Sequence, residues 1–167
     1  MEDDRKTRLV RIFGLSLLSF GVLLSYSLTR PAVESLFLEV HTQKGEPMAW
    51  VLVALGVTLT VSIYNRFVAR TDLVRMYGVS TMLSAVVLSG LLLARQAGLP
   101  GSYYLLYMFK DIYIVVLVEA FYTLANAVYP IRSARWLYGL FGAIGGLGGM
   151  LGNFTSGMRL RRRSKIS

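Results

Sequence analysis

Residues Met48–Phe67 read MAWVLVALGVTLTVSIYNRF, with Arg66 the one charged side chain in the stretch. A helix that crosses the hydrocarbon core of a bilayer needs about 20 mostly apolar residues, and this stretch supplies them. Four further blocks flank it: Leu9–Leu38, long for one span, then Met76–Ala94, Tyr103–Tyr129 and Trp136–Gly157. The expected fold is therefore all-α, a polytopic transmembrane helix bundle of about five spans. Residues 1–8 form a cytoplasmic N-terminus, 9–157 the transmembrane domain and 158–167 a basic tail.

The connectors agree with this division. His41-Thr42-Gln43-Lys44-Gly45-Glu46-Pro47 separates the first two blocks, and Gln96-Ala97-Gly98-Leu99-Pro100-Gly101 the third and fourth. Gly and Pro end helices and make turns. No connector is long enough for a soluble domain.

Composition points the same way. The chain is 54% hydrophobic and 16% charged, against a soluble norm of roughly 25% charged. A soluble chain of 167 residues leaves too much surface in water to hide so many apolar side chains. The net charge of +9 raises nucleic acid as a partner, but the cations stand beside apolar blocks and crowd the tail, so the bilayer is the expected partner and nucleic acid is not. The basic start (Arg5, Lys6, Arg8, Arg11) suits a signal peptide, yet the apolar stretch behind it is too long for a signal core and no small-residue cleavage pattern follows.

Lys/Arg asymmetry sets an orientation. With the N-terminus in the cytoplasm, Arg5, Lys6, Arg8, Arg11, Arg66, Arg70, Arg75, Arg132 and Arg135 lie inside, and only Lys44 and Arg95 lie outside. This predicts an integral membrane protein with its N-terminus in the cytoplasm, in a bacterial inner membrane. The tail runs against it. After five spans, Arg159, Arg161, Arg162, Arg163 and Lys165 would lie outside. Three readings fit: a fifth helix that does not fully span, a fragment whose tail is not the natural continuation, or a cytoplasmic tail after a miscounted helix.

Catalytic and metal chemistry finds little to use. There is no cysteine, so disulfides, thiolate sites and a cysteine nucleophile are excluded. The single histidine, His41, sits in a polar connector, and metal sites need clustered ligands. No Ser/His/Asp set, HExxH motif or paired carboxylates appear. No cofactor, metal or enzymatic activity is expected.

Ionisable groups inside the spans are the candidates for function, because each costs several kcal/mol in lipid unless paired or hydrated. Arg30 and Glu34 stand at i,i+4 in the first span and share a face, with Pro31 between them as a possible kink. They either line a cavity or snorkel to the outer interface. Lys110 and Asp111 are adjacent in the fourth span, about 100° apart around the helix. Such neighbours are expected to pair poorly with one another and to need partners on other helices, although Lys110 can also snorkel. Glu119 lies deeper, among Val115–Val118, and has the strongest claim to a role, carrying a proton or fixing a partner cation. Asn126 suits an interhelical hydrogen bond. In the fifth span, Gly142/Gly146, Gly145/Gly149 and Gly148/Gly152 are GxxxG pairs, which predict close helix packing. A phosphate loop is not indicated, since GxxxxGK[ST] is absent.

Two segments resemble the ATP/ADP translocases of plastids and obligate intracellular bacteria, a branch of the major facilitator architecture. The first is Phe121-Tyr122-Thr123-Leu124-Ala125-Asn126, followed by Ala134-Arg135, Tyr138-Gly139-Leu140-Phe141-Gly142 and Ser156-Gly157. The second is Tyr26-Ser27-Leu28 with Arg30, Glu34 and Leu36. The resemblance covers about the first five helices of a twelve-helix protein. It implies the N-terminal half of a major-facilitator-type fold, completed by a second transmembrane half. It further implies a substrate route lined by Arg30, Glu34, Lys110, Asp111, Glu119 and Asn126, for a nucleotide or another anionic or polar solute. A first-helix Lys of that family falls at Val33, and an early fourth-helix acidic position falls at Lys110. The alternative from another class is a non-transporting anchor or scaffold module.

Overall fold

The structure is a computed structural model. It describes residues 2–41, 45–68, 72–129 and 131–163, with the side chains of 2–4, 41, 131–135 and 158–163 outside the described set. Among the described residues five α-helices follow one another: α1 (Glu2–His41), α2 (Glu46–Val68), α3 (Leu73–Gln96), α4 (Ser102–Val128) and α5 (Ile131–Arg163). No strand occurs among the described residues. The fold is an all-α helical bundle.

Four of the five helices are long and apolar enough to cross a membrane: Arg5–Val40 of α1, then α2, α3 and α4. These mark the chain as an integral membrane protein. The expected fifth block, Trp136–Gly157, lies in α5, which is not among these four. That helix exists and is 33 residues long, but glycine takes so many of its positions that its apolar content falls short. α1 runs from Glu2 to His41 and encloses the Leu9–Leu38 block, and α5 continues through the basic segment to Arg163. Lys44, Arg70 and Lys165, and the side chains of His41, Arg132, Arg135, Arg159, Arg161, Arg162 and Arg163, lie outside the described residues.

Local chemistry sets the helix ends. Asp72 caps α3, its carboxylate accepting from the Val74 N–H at 3.0 Å, which satisfies one of the donors a helix start leaves open. At the other end Gly98 adopts φ 72°. The Gly98 N–H donates to the Arg95 carbonyl at 3.0 Å and the Leu99 N–H to the Ala94 carbonyl at 3.1 Å. This bond pair around a left-handed residue is the Schellman closure, which glycine accepts without steric cost.

The chain divides into two units. One holds Met1–Leu28 with Phe121–Ser167, the other Thr29–Ala120. In the first, α5 lies against α1 through Gly145, Gly148 and Gly152. A Cβ at Gly145 would come within 2.6 Å of Ser19 Oγ, one at Gly152 within 2.7 Å of Ser27 Cβ, and one at Gly148 onto the Phe20 carbonyl. Ser19 Oγ donates to the Phe141 carbonyl at 2.8 Å. Ser156 Oγ lies 2.8 Å from the Gly152 carbonyl and 3.3 Å from the Ser27 carbonyl. The Ser27 carbonyl is the one that Pro31, lacking an N–H, leaves open four residues back. In membranes such hydroxyls re-satisfy backbone groups freed by proline. Phe121 meets Phe141 edge-on, with ring centroids 5.6 Å apart.

The second unit packs by bulk. Its core is Val33, Phe37, Ala49, Val53, Leu106 and Tyr107. The Phe37 ring stands edge-on to Tyr104 at 5.1 Å and tilted against Tyr107 at 4.6 Å. α3 contributes no buried residue.

Candidate functional site

α1 and α4 bring four of the six candidate residues together in the second unit. Arg30 Nε donates to Glu34 Oε1 at 2.9 Å, as their i,i+4 spacing allows. The same oxygen lies 3.5 Å from Lys110 Nζ. Lys110 Nζ in turn donates to Asp111 Oδ2 at 2.9 Å and stands 4.0 Å from the centroid of the Tyr107 ring. Two cations and two carboxylates thus form one chain of contacts, neutral in sum, with Glu34 Oε1 shared between both cations.

Burial grades along that chain. The Lys110 side chain is 2% exposed, Asp111 18%, Glu34 33% and Arg30 53%. Lys110 is the anchor and Arg30 the most exposed end. One alternative falls away here and one expectation is corrected. Lys110 does not reach out to interfacial water. It also pairs with its neighbour Asp111, because four methylenes let the ammonium swing across the 100° that separates adjacent residues. The Glu34 contact supplies the partner on another helix. Tyr107 is a member that sequence reasoning missed. It precedes Lys110 by three residues, the spacing that places two side chains on one face, and its ring face attracts the ammonium.

Glu119 and Asn126 are not in this cluster. Glu119 is exposed and makes no hydrogen bond or ion pair among the described residues. Asn126, in the first unit, is also exposed, and its side-chain oxygen accepts from the Tyr138 hydroxyl on α5. Tyr122 stacks edge-on against the same Tyr138, at 5.6 Å. Of the glycines expected to pack, Gly145 does so and Gly149 makes an ordinary contact with Ser27 Oγ. Gly148 and Gly152, the third of the expected pairs, also pack closely, whereas Gly142 and Gly146 face open space. The three closest approaches, at Gly145, Gly148 and Gly152, follow i,i+3,i+7 and include one GxxxG pair, because 3.6 residues per turn carries the contact stripe around the helix.

Depth gives the charges their weight. Along α4, Lys110 and Glu119 lie about 6–8 Å to either side of the helix midpoint. Both fall within the roughly 30 Å hydrocarbon core of a bilayer centred on that helix. No family model matches the chain, and neither a curated protein nor a solved structure matches it.

Proposed function

We propose that the chain is part of a membrane transporter related to the ATP/ADP translocases, moving a nucleotide or another anionic or polar solute by alternating access. Under this reading it is the N-terminal portion of a major-facilitator-type fold, completed by a second transmembrane half. It lies in a bacterial inner membrane with its N-terminus in the cytoplasm, the orientation that the Lys/Arg asymmetry favours.

The observation that carries the proposal is on α4. One helix holds Lys110 turned inward on its carboxylates and Glu119 turned outward with no partner among the described residues. A carboxylate facing lipid at that depth costs several kcal/mol, so Glu119 borders water or further protein. The Lys110 cluster supplies the binding chemistry. An anionic solute competes with Glu34 and Asp111 for the ammonium and for Arg30, and exchanging one set of ion pairs for the other couples binding to movement of α1 against α4.

The charge balance of the cluster favours a second reading, in which it is interhelical glue in a non-transporting anchor or scaffold. Proteoliposomes carrying the full-length transporter, both halves together, separate the two. With unlabelled nucleotide inside and labelled ATP or ADP outside, exchange is expected, and Lys110→Met should abolish it. The triple variant Lys110→Met, Glu34→Gln, Asp111→Asn restores charge balance without the binding groups. If it inserts normally and exchanges like the parent, the glue reading holds and the transport site is elsewhere.

A further inference from the structure

A second feature of the Thr29–Ala120 unit is independent of solute transport. A cavity of about 410 Å³ opens between α2, α3 and α4. Its α2 wall runs over the last turns, Thr60 to Phe67, and its α3 wall from Arg75 to Val87. Its α4 wall is the middle of that helix, Phe109 to Val116. The lining is apolar except for a few hydroxyls and one charge, Arg75.

Three properties select an occupant. From Arg75 to Val87 the α3 wall is about 18 Å long, against about 15 Å for half of the hydrocarbon core. The groove therefore begins at the α2–α3 turn and stops near mid-membrane, the reach of a single lipid leaflet. Its one charged lining residue sits at the interfacial end, where a head group lies. That residue, Arg75, is exposed and makes no ion pair or hydrogen bond among the described residues, and Arg66, in the last turn of α2, adds a second exposed cation at the same end. Basic pockets between transmembrane helices on the cytoplasmic side bind anionic head groups, and the Arg fork suits phosphate oxygens.

We infer that this groove holds one acyl chain of an anionic phospholipid, with the lipid phosphate on the Arg75 guanidinium. The occupant is a lipid, since a free phosphate uses the cation and leaves the apolar groove unfilled.

Native mass spectrometry of the purified full chain tests it, titrating phosphatidylglycerol against phosphatidylcholine of the same acyl chains. The parent should retain one phosphatidylglycerol in preference to phosphatidylcholine. Arg75→Gln, at an exposed position, should weaken phosphatidylglycerol about fivefold, the worth of one interfacial cation, and leave phosphatidylcholine unchanged. Arg75→Lys should keep most of the preference. Ser84→Trp, filling the groove, should reduce both lipids; if that variant misfolds, Val79→Phe serves in its place. Equal affinity of the parent for the two lipids overturns the inference. So does a preference that survives Arg75→Gln, or displacement of the bound lipid by millimolar inorganic phosphate.

Discussion

The two units solve the same problem with opposite means. Between α1 and α5 the helices meet backbone to backbone, with Gly145, Gly148 and Gly152 against Ser19, Phe20 and Ser27, and hydroxyls such as Ser19 and Ser156 donating to main-chain carbonyls. Between α1, α2 and α4 they are held by large rings around Phe37 and by a buried ammonium between two carboxylates. In lipid there is no hydrophobic drive to push apolar helices together, so association rests on close packing and polar contacts. The first unit uses contacts of fixed geometry that tolerate no added atom. The second uses ion pairs, which have discrete alternative partners and can be exchanged. The proposed alternating access would draw on both, a seam that holds and a cluster that exchanges partners.

The largest expected effect falls on the stiff seam. Gly148→Leu drives a side chain onto the Phe20 carbonyl, backbone that cannot rotate away, and should cost about 3 kcal/mol or more in a detergent unfolding titration. Gly142→Leu, facing open space, should cost far less. Equal losses at the two positions would mean that the α1–α5 approach is not what the glycines serve.

Next comes the cluster. Asp111→Asn leaves Lys110 buried with one longer ion pair to Glu34. Breaking a fully buried pair costs about 3–5 kcal/mol, and the partial exposure of both carboxylates brings the expectation to about 2 kcal/mol. Neutralising Lys110, Glu34 and Asp111 together should recover part of that loss, a non-additivity that a thermal unfolding series would expose.

Smaller still is the proline repair. Ser156→Ala removes a hydroxyl whose one proton is shared between the Gly152 carbonyl of its own helix and the Ser27 carbonyl that Pro31 leaves open, and interhelical hydrogen bonds in membranes average about 0.6 kcal/mol. A loss above about 2 kcal/mol would show that Ser156 does more than this.

The smallest effect lies one residue beyond α4. Burial pushes the Tyr129 phenol above its usual 10.0, with Arg8 and Arg11 pulling partly back. Its hydroxyl is buried with no partner among the described residues. A phenol whose folded pKa is raised contributes its full stability below pH 10.0 and loses it as pH climbs through the folded value. Stability should therefore fall more steeply above pH 10 in the parent than in Tyr129→Phe, measured by melting temperature from pH 8 to 11.

Much of the fold was legible because hydropathy is a local property. Met48–Phe67 announces α2 without reference to any neighbour, and Gly98 and Pro100 announce the turn before α4. α5 was legible as a helix but not as a lesser candidate for spanning, because glycine permits close packing while contributing almost no apolar surface. At the site, Arg30 with Glu34 followed from helical spacing alone. The Lys110–Asp111 bond did not, since ideal side-chain directions ignore how far a lysine can bend. Which glycines touch α1 depended on the partner helix, whose register no local pattern encodes. The apolar core position Val33, 3% exposed, shows the same limit. The sequence placed it beside Glu34, and only packing shows that it belongs to the Phe37 cluster rather than to the charges.

On the proposed reading, Glu119 on the outward face of α4 borders a water-filled solute route rather than lipid or a sealed protein contact. The chain has no cysteine, so Glu119→Cys can be probed in native membranes with a membrane-impermeant maleimide, beside Val86→Cys on the exposed apolar surface of α3. The account predicts labelling at position 119 that changes when solute is added, and none at 86. Position 119 as unreactive as 86, in a protein shown to be folded, would place Glu119 in lipid or a sealed contact and contradict a solute route along α4.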